Sequence, residues 1–214
     1  MRTINNKNGL QAGLGSIALA LLLFLSIAPA AVAGDDADCN ASDELLKTDP
    51  GRAVAACSRL AERGDAIAQY NLGLMYLAGQ GVNQDYGQAA KWFRKAAEQG
   101  DAPAQYNLGL IYQGGQSVKQ DSVEAAMWYR KAAEQGYVYA QSILGFMYGT
   151  GEGVPTDYVA AYLWLSLAAA AGDDDASAYR DFMEKGMAPE QVTEARRRLN
   201  AWKPKKPGDS LSGY

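Results

Sequence analysis

A pair of carboxylates could support acid–base chemistry in this sequence, although the chain contains no histidine. Without histidine, a Ser-His-Asp or Cys-His nucleophile system and a histidine-ligated zinc or iron site are both excluded. Two glutamates, Glu98 and Glu134, recur 36 residues apart near the ends of predicted helices. A catalytic carboxylate pair needs one acid with a raised pKa in a closed pocket. Repetition at a surface position is better explained by helix solvation, so we expect no enzyme and no catalytic residue.

A metal site is weakly indicated near the N-terminus. Asp36, Asp38 and Asn40 match the first three ligand positions of a calcium loop, but Ala41 and Lys47 stand where such a loop needs its turn glycine and closing glutamate. The run Asp173-Asp174-Asp175 is better explained as charge at the start of a helix than as a metal site. The sequence therefore predicts neither a metal nor another cofactor.

Cys39 and Cys57 are the two cysteines of the chain, and both precede the regular part of the sequence. In an exported protein they would meet an oxidising compartment, where a disulfide between them is favoured. The alternative is a pair of free thiols.

The sequence repeats with a period of 36 residues, and this period determines where the carboxylates and other candidate residues lie. The stretch from Gly64 to Gly100 returns with few changes, and tryptophan, aspartate and glycine keep the spacing throughout. A period of this length is the signature of a solenoid built from repeats. We predict an all-α fold of αα-hairpins with full repeats at 65–100, 101–136 and 137–172.

Each repeat is predicted to hold two helices joined by a glycine-rich turn. The first helix carries Ala, Leu, Gly and an aromatic residue on one face, and its interior glycine (Gly73 in the first repeat) suggests close helix packing. The second helix begins at an aspartate that can cap it, and its aromatic residues are predicted to be core. The capping aspartates are Asp85, Asp121 and Asp157, and the tryptophans are Trp92, Trp128 and Trp164.

The flanks depart from this pattern. Residues 1–33 resemble a secretory signal peptide, with Arg2 and Lys7 before an apolar run and a small-residue cleavage site before Gly34; the alternative is a retained membrane anchor. Without them the chain holds 18 basic and 24 acidic residues, a net charge of −6 that argues against nucleic acid. We expect an N-terminal lead-in at 34–48 that is poorly ordered up to Cys39, a degenerate capping half-repeat at 49–64, C-terminal capping helices at 173–202 and a disordered tail at 203–214.

The repeat resembles the Sel-one-like repeat (SLR), a relative of the tetratricopeptide repeat. The residues that carry the resemblance run from Ala68 to Gly100, from Ala-Gln-Tyr-Asn-Leu-Gly-Leu-Met-Tyr to Trp-Phe-x-Lys-Ala-Ala-Glu-Gln-Gly. The resemblance implies a right-handed superhelix of about three full repeats plus capping half-repeats. It also implies an adaptor, since exported bacterial members are often linked to envelope signalling, polysaccharide export or host interaction.

The tetratricopeptide relative places its ligands in a concave groove lined by first helices, and the resemblance transfers this groove to eight positions of the chain. If the geometry is shared, the partner-binding residues are Tyr70, Leu74, Leu77, Tyr106, Leu110, Gln113, Ser142 and Phe146. The alternative for Tyr70 and Tyr106 is that they pack against neighbouring hairpins.

Two functions follow as expectations. The first is a non-enzymatic adaptor, periplasmic or secreted, that binds a protein or peptide of the cell envelope, with no nucleic acid and no membrane as partner after signal cleavage. The second is a protein that binds or processes peptidoglycan or an exported polysaccharide, including a β-lactamase-like activity as in the cysteine-rich branch of the family. That branch carries a cysteine pair in each repeat hairpin, and the three repeats here contain no cysteine.

Overall fold

The fold is a stack of helices without a strand in the part of the chain that the structure, a computed structural model, describes: residues 28–40, 43–115 and 118–206. Most of these helices span 13 residues, including all six helices of the three repeats. In order they are α1 (Ala28–Cys39), α2 (Asp43–Thr48), α3 (Pro50–Glu62), α4 (Ala66–Ala78), α5 (Tyr86–Glu98), α6 (Ala102–Gly114), α7 (Ser122–Glu134), α8 (Val138–Thr150), α9 (Tyr158–Ala170), α10 (Asp174–Glu184) and α11 (Pro189–Ala201).

Three hairpins form the centre of the stack, α4 with α5, α6 with α7 and α8 with α9. Each second helix also packs against the first helix of the next hairpin, and the buried apolar side chains form successive clusters along the stack. At the ends, α3 packs on α4, while α10 and α11 both pack on α9. The prediction of an all-α hairpin solenoid is confirmed.

The helix boundaries follow the predicted caps. The carboxylate of Asp85 accepts hydrogen bonds from the backbone N–H groups of Gly87 and Gln88 at 2.8 and 2.9 Å, and Asp121 caps α7 in the same way. Asp157 caps α9 through the N–H of Ala160. These bonds satisfy N–H groups that a helix start otherwise leaves without an acceptor.

The interior glycines allow the two helices of each hairpin to touch. A Cβ atom on Gly109 would lie 2.6 Å from Cε1 of Tyr129, and one on Gly73 would meet the Phe93 ring at the same distance. Gly145 faces Leu165 equally closely. Close packing at these glycines, expected from their recurrence, is confirmed.

Successive hairpins share aromatic residues and a buried amide. Trp128 of α7 packs with Phe93 of α5 and Leu108 of α6, which confirms that the tryptophan stripe belongs to the core. The buried Gln105 side chain of α6 donates to the carbonyl of Ala97 at the end of α5, at 3.0 Å. The same bond recurs at the corresponding glutamines of α4 and α8, Gln69 and Gln141, and was not foreseen from the sequence.

The N-terminal segment is helical, contrary to the expectation of a poorly ordered lead-in. Helix α1 packs against α3 and is joined to it by a disulfide between Cys39 and Cys57, whose Cα atoms lie 4.6 Å apart. The buried carboxylate of Asp35 also pairs with Arg59 and Arg63 of α3 and its cap. The cleavage site expected before Gly34 falls inside α1, and residues 1–27 of the expected signal peptide lie outside the described residues.

The C-terminal segment is also more ordered than expected. After α11 the chain returns to the end of α7 as a short strap, residues 202–206, instead of leaving the fold as a disordered tail from residue 203. The backbone N–H of Lys205 donates to the carbonyl of Glu134 at 2.7 Å, and its ammonium pairs with the Glu134 carboxylate at 2.9 Å. Trp202 meets Trp164 edge-on at 6.4 Å. Residues 207–214 lie outside the described part.

Candidate functional site

The candidate site is a row of apolar side chains on the first helices, which lie side by side in one layer. Ring contacts join neighbouring members of this layer: Tyr106 of α6 lies 6.1 Å from Tyr139 of α8, and Phe146 of α8 stacks at 4.5 Å on Tyr179 of α10. We call the solvent side of α4, α6, α8 and α10 the first-helix face.

Four positions that are 36 residues apart form the centre of this face. Leu74, Leu110, Phe146 and Phe182 occupy the same place in α4, α6, α8 and α10, and we call them the apolar row. Leu74 and Phe146 are half-buried, Leu110 is 39% exposed, and Phe182 is 71% exposed. Phe182 was not predicted because α10 has lost the repeat motif, although the 36-residue period alone leads from Phe146 to Phe182.

The predicted groove tyrosines are both packed and accessible. Tyr70 lies 5.8 Å from Phe93 of its own hairpin, and Tyr106 lies 5.9 Å from Tyr129 of its own hairpin. Tyr106 also touches the next hairpin, at 5.3 Å from Tyr137. Both predicted tyrosines are half-buried, and the packing against a neighbouring hairpin that the sequence left open is seen in the ring contacts of Tyr106, whereas the ring contact of Tyr70 lies within its own hairpin.

Burial also sets the chemistry of these rings. It raises the pKa of the Tyr106 and Tyr137 hydroxyls above the ordinary tyrosine value, with nearby tyrosines adding to the effect. These hydroxyls therefore remain protonated near neutral pH and act as hydrogen-bonding groups, not as bases. Tyr139, 64% exposed beside them, is an accessible aromatic surface that was not predicted from the sequence.

Three predicted groove residues are placed differently. Ser142 is buried, so its short side chain offers no surface to a partner. Gln113 accepts a hydrogen bond from the Tyr129 hydroxyl at 2.8 Å and donates to Glu152 at 3.4 Å. Leu77 lies outside the apolar row, although it is half-buried against the same core cluster as Leu74. Of the eight predicted residues, Leu74, Leu110 and Phe146 coincide with the apolar row.

A pocket of about 450 Å³ lies where the apolar row ends, between α8 and α10. Its walls include Tyr179, Phe182 and Met183 of α10 and Tyr158 at the start of α9. Gly149 lines it from α8, and a Cβ atom there would come within 2.8 Å of the Tyr179 hydroxyl and 2.9 Å of the Met183 sulfur. We call this the end pocket.

Comparison with known proteins identifies the repeat. The Sel1 repeat matches residues 66–101, 102–137 and 138–173, one residue later than the boundaries expected from the sequence. The chain belongs to the Sel1 repeat family. Members of this family are generally protein-interaction scaffolds.

Solved structures of Sel1 repeat proteins resemble this fold. The protective antigen c5321 of uropathogenic Escherichia coli, which displays an SLR fold, is 34% identical over 80% of this chain and 41% of its own, with a TM-score of 0.65. A Sel1 repeat protein from Oxalobacter formigenes is 38% identical over 63% of this chain and 39% of its own, with a TM-score of 0.60. The chain thus spans about two fifths of the length of these relatives.

Helicobacter pylori cysteine rich protein B shares the fold, with a TM-score of 0.51 and 20% identity over 62% of this chain and 98% of its own. No curated protein is significantly similar to the chain.

The two repeated glutamates of this Sel1 protein have different surroundings, although both were expected at the surface. Glu98 is exposed, whereas Glu134 is buried beneath the strap and paired with Lys205. Within residues 28–40, 43–115 and 118–206, no group of acidic or cysteine side chains is arranged to hold a metal ion. No helix in the same residues is long and apolar enough to cross a membrane.

The other end of the apolar row reaches the disulfide. A smaller hollow of about 280 Å³ lies beside Leu74 and is lined by Cys39, Asn40 and Leu46. Asn71 of α4 donates to the Cys39 carbonyl at 3.3 Å and to the Asn40 side chain at 3.1 Å. The disulfide-bonded helix α1 therefore borders the N-terminal end of the first-helix face.

Proposed function

We propose that this Sel1 protein is a non-enzymatic scaffold of the bacterial cell envelope that binds a segment of a partner protein along the first-helix face. The observation that carries the proposal is the apolar row, in which four successive first helices place Leu74, Leu110, Phe146 and Phe182 in line. Stacked hairpins use such surfaces to hold extended partners, because each repeat offers one contact.

The composition of the face supports binding of a protein. Large apolar side chains exposed in one patch are uncommon on a monomer and often mark an interaction site. Aromatic residues are enriched among those that dominate interface energies. Tyr139 of α8 and Phe182 of α10 are both exposed, and so is Leu110 on the preceding first helix, α6.

The envelope location is supported by chemistry at the N-terminus. A disulfide such as Cys39–Cys57 persists in oxidising compartments, which include the periplasm and the exterior. The apolar run with its cleavage pattern before Gly34 agrees with export.

Photo-crosslinking from matched positions tests the proposal. A photoreactive phenylalanine analogue is introduced at Tyr139 on the first-helix face or at Val123 on α7, which are 64% and 67% exposed. Adducts formed in cells are identified by mass spectrometry. The proposal expects one partner at Tyr139 that is absent at Val123.

A second matched pair tests whether the captured partner needs the apolar row. Leu110→Asp changes a row residue that is 39% exposed, and Met127→Asp changes an α7 residue that is 38% exposed. The crosslink from Tyr139 should be lost with Leu110→Asp and kept with Met127→Asp. Equal loss in both variants, or equal capture from Tyr139 and Val123, would contradict the proposal.

Glycan binding is the second candidate, and the exposed Tyr139 ring favours it because an exposed aromatic ring can stack on a sugar. Purified peptidoglycan sacculi distinguish the two functions. Retention of the protein on sacculi that is lost with Tyr139→Ser, together with no protein adduct, would replace the scaffold by a glycan-binding function.

A further inference from the structure

The end pocket has an exposed aromatic wall where a solenoid is normally polar. Of the first helices, α4, α6, α8 and α10, helix α10 is nearest to the C-terminal end of the stack. Terminal repeats must present a polar outer face to water. Most of α10 obeys this rule, but Phe182 is 71% exposed and Tyr158 is also exposed beside it. Helix α11 packs on α9 instead of covering this side of α10. The apolar wall is therefore open to a partner.

The charge at this pocket has one sign. Among the described residues that line it, Lys185 is the charged one. The two carboxylates nearest to Lys185 in the chain are already paired, Glu184 with Arg196 at 2.6 Å and Asp181 with Arg180 at 2.6 Å. The Lys185 ammonium makes no ion pair or side-chain hydrogen bond with any residue in the described part of the chain.

The size and the walls of the end pocket suit a single large side chain. A volume of about 450 Å³ lies within the range of roughly 300–1,000 Å³ found for ligand pockets. The rings of Tyr179 and Phe182 lie 6.4 Å apart and nearly parallel, and Met183 lies beside them. Such walls suit one bulky apolar side chain, since methionine sulfur and aromatic faces both adapt to an inserted ring.

We infer that the end pocket binds an acidic peptide segment in which a bulky apolar side chain lies next to a carboxylate. The apolar side chain enters between Phe182 and Tyr158, and the carboxylate pairs with Lys185. This inference rests on the proposed function, because it names the chemistry of the partner segment at the C-terminal end of the apolar row. It predicts that the partner's motif is acidic although the protein itself has a net charge of −4.

Selection of peptides tests this assignment directly. A phage-displayed library of random nonapeptides is selected on the purified protein, and the affinity of enriched peptides is measured by fluorescence anisotropy. Enriched peptides should carry Phe, Leu or Trp beside Asp or Glu. Phe182→Ser should weaken their binding by about tenfold or more, while Val123→Ser, at a similarly exposed position on α7, should leave it unchanged.

Charge reversal separates recognition from helix stability. Lysine at a helix C-terminus also stabilises the helix through the dipole, and loss of that role would lower stability without changing ligand preference. If Lys185 recognises the carboxylate, selection on Lys185→Glu should enrich peptides with Lys or Arg beside the apolar residue. Binding of the original peptides should also weaken as salt rises from about 0.05 M to 0.5 M, because an exposed ion pair is screened.

Failure of this inference is distinguishable from failure of the scaffold. Peptides whose binding needs Leu110 and Tyr139 but is unchanged by Phe182→Ser would support the scaffold proposal and contradict the assignment of the end pocket. Enriched peptides without an acidic residue, or no enrichment above the Phe182→Ser variant, would also overturn it. The scaffold itself is decided separately by the crosslinks from Tyr139.

Discussion

At the scale of single residues, the packing of this protein depends on glycines, which have no Cβ atom. Gly109 has no Cβ atom, and the Tyr129 ring occupies the space that such an atom would need. In a helix interior, glycine is less favourable than alanine by about 1 kcal/mol, so its presence in the first helices of all three repeats has to be explained by packing. The contact between the two helices of a hairpin is that explanation.

Gly109→Ala is therefore expected to destabilise the fold although alanine is the better helix former. The new Cβ atom would lie 2.6 Å from Cε1 and 2.7 Å from Cδ1 of Tyr129, so the ring or the helices must shift. Overpacking of this kind costs about 1–3 kcal/mol, and the gain in helix propensity offsets about 1 kcal/mol of it. Urea unfolding followed by circular dichroism measures the difference.

Gly51→Ala serves as the control for this prediction. Gly51 lies in the first turn of α3, and a Cβ atom there would meet nothing nearer than the Asp49 carboxylate at 3.8 Å. This substitution should leave stability unchanged or raise it. A Gly109→Ala variant as stable as Gly51→Ala would show that the hairpins tolerate a wider separation.

At the scale of elements, helix α1 and the C-terminal strap are each held to the hairpin stack by an ion pair. Helix α1 is joined to α3 through the Asp35 carboxylate and the Cys39–Cys57 disulfide. The strap is joined to α7 through Lys205 and Glu134. Neither fastening repeats with the period of 36 residues, so each belongs to one end alone.

The attachment of α1 should depend on pH. The hydrogen bond from Arg59, opposed by partial burial and aided by the charges of Arg59 and Arg63, lowers the pKa of the Asp35 carboxyl below its ordinary value. Stability contributed by a carboxyl of lowered pKa is fully present above its unfolded pKa of about 4 and is lost as the pH falls through the folded value. Asp35→Asn should therefore lower the melting temperature at pH 7, and the difference should vanish as the pH falls from about 5 toward 2.

Asp36→Asn is the matched control, because Asp36 lies on the same helix with an exposed side chain. Its melting temperature should follow that of the unchanged protein at every pH. A constant difference between Asp35→Asn and the unchanged protein across the whole pH range would mean that the Asp35 contribution is not ionic.

Lys205→Met should destabilise the C-terminal half more than a surface substitution does. It leaves the buried Glu134 carboxylate without its ammonium partner, and the loss of one member of a buried pair costs on the order of 3 kcal/mol. Hydrogen exchange measured by mass spectrometry should show faster exchange at the ends of α7 and α11. Restored protection in a Glu134→Leu, Lys205→Met double variant would confirm that the unpaired charge is the cause, and its absence would contradict this.

At the scale of the whole molecule, stability should depend on the number of hairpins. Deletion of residues 101–136 joins Gly100 to Tyr137 and places Ala96-Ala97-Glu98-Gln99-Gly100 where Ala132-Ala133-Glu134-Gln135-Gly136 stood. The sequence that receives the strap is thus kept, while one hairpin and one interface are lost. Stability of a solenoid is roughly a sum over repeats and interfaces, so the melting temperature should fall by more than about 5 °C. An unchanged melt would contradict additivity.

The repeat architecture could be predicted because its causes are local and recur. The Asp85 side chain caps the helix that it precedes, and Gly109 contacts the second helix of its own hairpin. The residues that determine each hairpin therefore lie within 36 residues of one another. The resemblance to the tetratricopeptide repeat implied the face of Leu74, Leu110 and Phe146, and the period relates these three positions to one another. Phe182 was missed because α10 keeps the position but not the surrounding motif.

The ends could not be predicted because their contacts join residues far apart in the chain. Glu98 and Glu134 lie in identical five-residue sequences, yet one is exposed and the other is buried. The difference arises from Lys205, which lies 71 positions after Glu134. Asp35 likewise pairs with Arg59 over 24 positions. No local pattern encodes these pairings.

The contact between the strap and Glu134 also limits where the gene can gain or lose a repeat. Because repeats one and two end in the same sequence, unequal recombination between their coding segments would remove or add a whole hairpin while leaving a receiving glutamate in front of the last repeat. The third repeat has Ala170 at that position, so a duplication there would supply no such acceptor. We therefore expect growth and loss of repeats to be tolerated on the N-terminal side of residue 137, and the segment from residue 137 to the strap to be inherited as one unit.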